Sequence, residues 1–183
     1  MWTDVSGTRG QGAFFTDPAE SHSIVSWQQA FSKPLLRHHR HKDINFKEMH
    51  TVLLAIQRWL PYFKLHKLVI FTDNATVYHG LRRRSVRGPA MDPLRKITHI
   101  AALHNIDIHA QWIPTHENAL ADLLSRRNFA KLANQFLLLA QEPETHLNHG
   151  IQTSAFPESQ PATSGWASAK IPDKHMKRPA VAM

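Results

Sequence analysis

The chain has 183 residues, enough for one domain of ordinary size plus an extension. Its formal net charge of +8 favours a polyanionic partner, and the absence of cysteine excludes a disulfide framework or a thiolate metal site. No segment reaches the roughly 20 apolar residues of a membrane span, and Met1-Trp2-Thr3-Asp4 opens no basic, apolar leader. The expectation is an intracellular, soluble protein, cytoplasmic or nuclear, without a membrane partner.

Composition changes near residue 141. The stretch from Glu142 to Met183 holds five of the eleven prolines, with four Lys/Arg balanced by four Asp/Glu, so the whole net charge belongs to residues 1–141. Residues 1–141 read as one folded domain and 142–183 as a disordered tail.

In chain order, residues 1–5 are extended, Gly10 to Phe15 form a second strand after a glycine turn, and His22 to Phe31 form a third strand of the same antiparallel meander. Met49, Val52, Leu53, Ile56, Trp59 and Leu60 then fall at helical spacing from Phe46 to about Leu60, with Asn45 as cap, Pro61 near the end and Glu48 in the first turn. The run Leu68-Val69-Ile70-Phe71-Thr72 is short and continuously apolar, as in a strand buried on both faces, and it stops at Asp73-Asn74. A short helix from Ala75 to Leu81, a loop with Gly88 and Pro89 and a helix from Pro93 to His104 follow. Ile106 to Trp112 alternates as a strand with one drier face, and Thr115 caps a helix that carries Asp122 and runs, broken near Asn128, to about Ala140. Trp27, Trp59 and Trp112 read as core residues. The sum is an α/β fold: a mixed five-stranded sheet flanked by helices.

Four acids stand in marked places: Asp4, Glu48, Asp73 and Asp122. Each has a plain reading beside a chemical one. Glu48 complements a helix dipole, Asp73 suits a turn or cap, and Asp122 suits a solvated helix face.

The order of elements, with acids in Thr3-Asp4, at Glu48, in Thr72-Asp73-Asn74 and in Trp112-Ile113-Pro114-x-x-x-Asn118-x-x-Ala121-Asp122-x-Leu124-Ser125-Arg126, resembles the ribonuclease H domain of retroelement reverse transcriptases, gypsy-type or DIRS-like. The resemblance runs from about Met1 to Arg127. It implies a ribonuclease H-like fold and a metal-dependent endoribonuclease that cleaves the RNA strand of RNA/DNA hybrids. It implies Asp4, Glu48, Asp73 and Asp122 as ligands of two Mg2+ ions, with Mn2+ as a substitute, and His116 as a helper in proton transfer. Its implied partners are the hybrid and the polymerase part of a reverse transcriptase polyprotein. In-line phosphodiester hydrolysis explains such a pattern, because two hard cations about 4 Å apart activate the water and stabilise the leaving oxygen, and carboxylates suit them.

Beside the acids, Arg82, Arg83, Arg84 and Arg87 form a basic cluster suited to phosphate, with Asn74 and Asn118 as further nucleic-acid contacts. Arg37-His38-His39-Arg40-His41-Lys42 reads as a solvated basic loop. Only Met1 and Trp2 precede the first Thr-Asp, where the family has several apolar residues, so the central strand is expected to be shortened. Two other readings stay open: a catalytically inactive, domesticated module that binds nucleic acid or protein, and a DNA endonuclease or integrase of the same superfold.

Overall fold

The computed structural model describes residues 1–17, 25 and 28–135. The tail from 142 onward, Trp27 and most of the stretch read as the start of the third strand lie outside the described residues.

Five strands form one sheet in the order β3-β2-β1-β4-β5. β1 (Trp2–Val5), β2 (Gly10–Phe14) and β3 (Ala30–Pro34) are antiparallel, and β4 (Lys67–Thr72) and β5 (Asp107–Trp112) run parallel to β1. Within the described residues β3 runs three residues past the expected end at Phe31, to Pro34 on the sheet edge, where a missing amide donor costs no ladder bond.

The central strand is short, as expected. β1 meets β4 at Trp2↔Phe71, and the ladder is completed by the Met1 amino group donating to the Val69 carbonyl (2.9 Å) and the Phe71 amide to the Met1 carbonyl (2.9 Å). Trp2 stacks between Phe14 and Phe71 of the flanking strands, with ring centroids 4.7 and 4.4 Å apart. Cross-strand aromatic packing thus reinforces a strand with few ladder bonds.

Alternation along the strands separates two cores, since Phe14 and Phe15 point to opposite faces. On one face pack α1 (Ile44–Arg58), the short α2 (Leu60–Phe63), α3 (Ala75–Arg83) and α4 (Met91–Leu103), around Met49, Ile56, Trp59, Ile70 and Leu94. On the other, α5 (Ala119–Ser125) and α6 (Phe129–Gln135) pack through Leu120, Leu124 and Leu132 onto Phe14 and Trp2. The break foreseen near Asn128 separates these two helices.

Four expectations need correction. Asp43, not Asn45, caps α1, its carboxylate accepting from the Phe46 amide at 2.9 Å; Asn45 is helical and its side-chain oxygen accepts from Asn74 Nδ2 at 3.2 Å. Glu48 consequently lies past the first turn, beyond the unpaired amides at the helix start, and helix-dipole complementarity does not account for it. Thr115 opens a 3₁₀ turn (Thr115–Asn118) and makes no side-chain cap. β4 is not equally buried on both faces: Leu68, Ile70 and Thr72 are buried, whereas Val69 and Phe71 are half-buried.

Candidate active site

The two innermost parallel strands end side by side, and their C-terminal ends present carboxylates. Asp4 lies on β1 opposite Gly12, and Asp73 follows β4 directly. Glu48 approaches from α1 on one face of the sheet and Asp122 from α5 on the other. Asp4 and Glu48 are buried, Asp73 is half-buried, and the Asp122 side chain retains 29% of its exposure.

Their mutual influence is electrostatic. Burial first, then the charges of Asp122 and Asp73, push the Asp4 carboxyl up to about 6 against the opposing Ser125 hydrogen bond and Arg126. Burial, then Asp4 and Asp73, raise Glu48 well above the usual carboxylate range, and the Val5 backbone amide opposes them. Glu48 Oε2 is buried without a hydrogen-bond partner. An acidic oxygen in that position has its desolvation uncompensated, which ordinary folding avoids.

The segment 115–126 closes the cluster. Asn118 Nδ2 donates to the Thr3 carbonyl (3.0 Å) and lies 3.4 Å from Asp73 Oδ1; the Ser125 hydroxyl donates to Asp4 Oδ2; Arg126 Nε donates to Asp122 Oδ1 at 2.6 Å. Asn118, Asp122, Ser125 and Arg126 share one side of the chain because they recur at helical spacing. That side lies on the ends of β1 and β4.

Close approach makes this possible. A Cβ on Gly12 would sit 2.5 Å from Leu124 Cβ and 2.5 Å from the Ser125 amide nitrogen, so only glycine lets α5 reach the strand bearing Asp4's partner. On the opposite face, buried Lys47 donates from Nζ to the Gly7 carbonyl at 2.9 Å and holds the β1–β2 loop against α1.

As ligands for a hard divalent cation the acids fit by donor chemistry, being all oxygen, and the partnerless Glu48 Oε2 fits such a role. Asp4 and Asp122 already have other partners, and among the described residues no three His, Asp or Glu side chains stand close enough to hold one ion as they are.

Compared with solved structures, the chain is similar to the N-terminal RNase H domain of rv2228c from Mycobacterium tuberculosis, solved as a fusion with maltose-binding protein. The two share 18% identity and superpose with a TM-score of 0.52 over 67% of this chain and 89% of that one. The fold is that of ribonuclease H. No known protein family and no curated protein matches the sequence.

In this ribonuclease H fold the other expected site residues are distributed unevenly. Arg82 and Arg83 are exposed at the far end of α3, about 13 Å along the helix from Asp73, with exposed Arg84 at its cap and exposed Arg87 in the loop that follows. Arg82 donates to the Tyr78 hydroxyl at 2.7 Å. His116 faces solvent beside Glu117, its Nε2 3.9 Å from Oε1. Asn74 uses its side-chain oxygen to cap α3 through the Thr76 and Val77 amides.

Two expectations are overturned. Asn118 is 1% exposed and faces the strand ends, so it cannot meet a nucleic acid from solution; its carboxamide is used inside, on the Thr3 carbonyl and beside the Asp73 carboxylate. Trp112, expected in the core, is 49% exposed because it ends the edge strand, and its indole N–H donates to the Asp73 carbonyl at 3.1 Å. Sequence reasoning assigned no individual role to Ser125, Arg126 or Lys47. The signal for the first two was their offset of three and four residues from Asp122.

Proposed function

We propose that the protein is a metal-dependent endoribonuclease of retroelement origin that cleaves the RNA strand of RNA/DNA hybrids, with Asp4, Glu48, Asp73 and Asp122 holding two Mg2+ ions, for which Mn2+ can substitute. The observation that carries this reading is the convergence of four carboxylates from four separate elements on the ends of β1 and β4, one of them buried with a free oxygen. Bound there, the ions would activate the attacking water and stabilise the leaving oxygen.

The chain's own groups supply the rest. Asp4 and Glu48 sit on regular elements whose packing fixes their direction, and Trp112 and Asn118 hold the end of β4, the first through the Asp73 carbonyl and the second beside the carboxylate. Exposed His116 is placed on the 3₁₀ turn before Asp122, where an imidazole can pass protons between the site and solvent. The Arg82, Arg83, Arg84 and Arg87 cluster, one helix length from Asp73, suits phosphates further along a duplex. The hybrid is the proposed partner, with the polymerase part of a reverse transcriptase as the source that would deliver it.

One observation favours a second reading, a domesticated module that binds nucleic acid without cutting: Asp4 and Asp122 are already engaged by Ser125 and Arg126. A labelled RNA/DNA hybrid incubated with wild type and with Asp73→Asn, in Mg2+ and in chelator, decides between them. Mg2+-dependent cutting of the RNA strand that Asp73→Asn abolishes is the expected result. Equal cutting by both proteins would remove Asp73 from the site, and binding without cutting in Mg2+ or Mn2+ would favour the second reading.

A further inference from the structure

Arg126 occupies an unusual place. It lies at the end of α5 with its side chain 57% exposed, yet its Nε donates at 2.6 Å to an acid of the proposed metal cluster. Its neighbour Ser125 performs the corresponding task for Asp4 from a fully buried position. The buried hydroxyl is fixed by packing and lies 2.9 Å from the Asp122 carbonyl oxygen, whereas the guanidinium is free to swing about its long stem.

The surroundings of Arg126 are basic. Arg127 is exposed, and its Cδ lies 3.5 Å from the point where a Cβ on Gly10 would sit, so this side chain covers the start of β2 next to exposed Arg9. Arg127 thus lies at the start of β2 by Arg9, and Arg126, its neighbour in sequence, is the arginine that reaches the acid cluster. These arginines are separate from those at the end of α3.

Asp122 cannot give Oδ1 fully both to Arg126 and to a cation. When the carboxylate turns inward, the guanidinium loses its acid and stands at the rim with its donors unfilled. We propose that Arg126 exchanges partners: it neutralises Asp122 in the ion-free site, and when Asp122 serves a divalent cation it binds a phosphate of the nucleic-acid strand entering over α5, beside Arg9 and Arg127. The exchange couples filling of the metal site to grip on substrate without any movement of the backbone. Both halves rest on the metal site of the nuclease reading, and the second rests also on its nucleic-acid substrate.

The test has two arms. Calorimetric titration with Mn2+ measures the first half on wild type, Arg126→Ala and Arg126→Lys. Removal of a competing, partly exposed ion pair should tighten Mn2+ binding by roughly two- to five-fold in Arg126→Ala. Unchanged Mn2+ affinity would overturn the exchange.

The second arm measures binding of a labelled hybrid against salt, in Ca2+ and in chelator, with strand integrity checked on a gel. With Ca2+, Arg126→Ala should bind several-fold more weakly and its salt dependence should lose about one phosphate contact. Arg126→Lys should restore that slope, which a purely structural helix-end role would not. In chelator, wild type and Arg126→Ala should bind alike, while Arg127→Ala is weaker in both conditions. A loss of slope in Arg126→Ala of the same size in chelator would overturn the exchange. Failure of wild type to bind hybrid in either condition would sink the nuclease reading and the phosphate half together, while the Mn2+ arm would still decide whether Arg126 competes for Asp122.

Discussion

Glu48 and Asp122 reach the same cluster from opposite faces of the sheet under opposite constraints. Glu48 stands on a fifteen-residue helix seated over the larger core, is 5% exposed, and has one oxygen without a partner. Asp122 stands on a seven-residue helix held by close backbone contact at Gly12, keeps nearly a third of its exposure, and is paired with Arg126. The first acid is positioned by packing and carries its electrostatic cost unrelieved; the second is positioned by hydrogen bonds that can be exchanged. A site that must hold charge in reserve and also respond to a ligand needs both kinds of acid.

The largest break in this comparison is Gly12→Ala. The added methyl meets the backbone of α5 rather than a flexible side-chain end, so the helix must move away from β2, at a cost of about 3 kcal/mol. Chemical denaturation should show that loss, with the α1 side of the cluster left in place and Ser125 drawn away from Asp4.

Asp4→Asn should act in the opposite direction. The folded carboxyl holds its proton more tightly than the unfolded chain does, so its contribution is fully present below about pH 4 and is lost as pH rises through about 6. A rise from 3.8 to about 6 corresponds to about 3 kcal/mol. In chelator, Asp4→Asn should therefore be more stable than wild type by up to about that amount at pH 8, and the advantage should vanish near pH 3.5. Thermal unfolding across this range checks it; a variant less stable than wild type at pH 8 would contradict the assigned burial cost. Glu48→Gln should stabilise in the same direction, since it too removes a buried charge.

Smaller effects follow on the α5 side. Ser125→Ala removes the donor to Asp4 and should cost about 1–2 kcal/mol at neutral pH, measured by denaturation, while raising the Asp4 pKa further. Arg126→Ala removes a partly exposed pair and should change stability by less than about 1 kcal/mol.

The two faces were also unequally legible in the sequence. The α1 face announces itself through apolar period: Met49, Val52 and Ile56 at helical spacing and the run Leu68 to Phe71 give both elements within a few residues. The choice of cap was not decidable there, because Asp43 and Asn45 are both good caps and only the carboxylate's reach to the Phe46 amide selects one. That choice moved Glu48 out of the first turn and removed its plainest explanation.

On the α5 face, position along the chain was legible and direction was not. Asn118 looked available to nucleic acid because carboxamides often are, but the fold turns it onto Thr3 and Asp73. Ser125 and Arg126 acquire roles only when Gly12 lets the helix come close, a long-range fact that local spacing does not contain. Trp112 failed for a related reason: strand alternation says which side a residue faces, not whether anything covers it at a sheet edge.

The central claim is that these four carboxylates act together on a phosphodiester bond. It is tested most directly by the rate of Mg2+-dependent hybrid cleavage by Glu48→Gln relative to wild type, with the fold of both confirmed by circular dichroism. The account predicts a loss of at least about a hundred-fold, because the amide keeps the shape but removes the buried carboxyl whose Oε2 has no partner in the protein and is free for a cation. Cleavage of the RNA strand at the wild-type rate by a folded Glu48→Gln protein would contradict it.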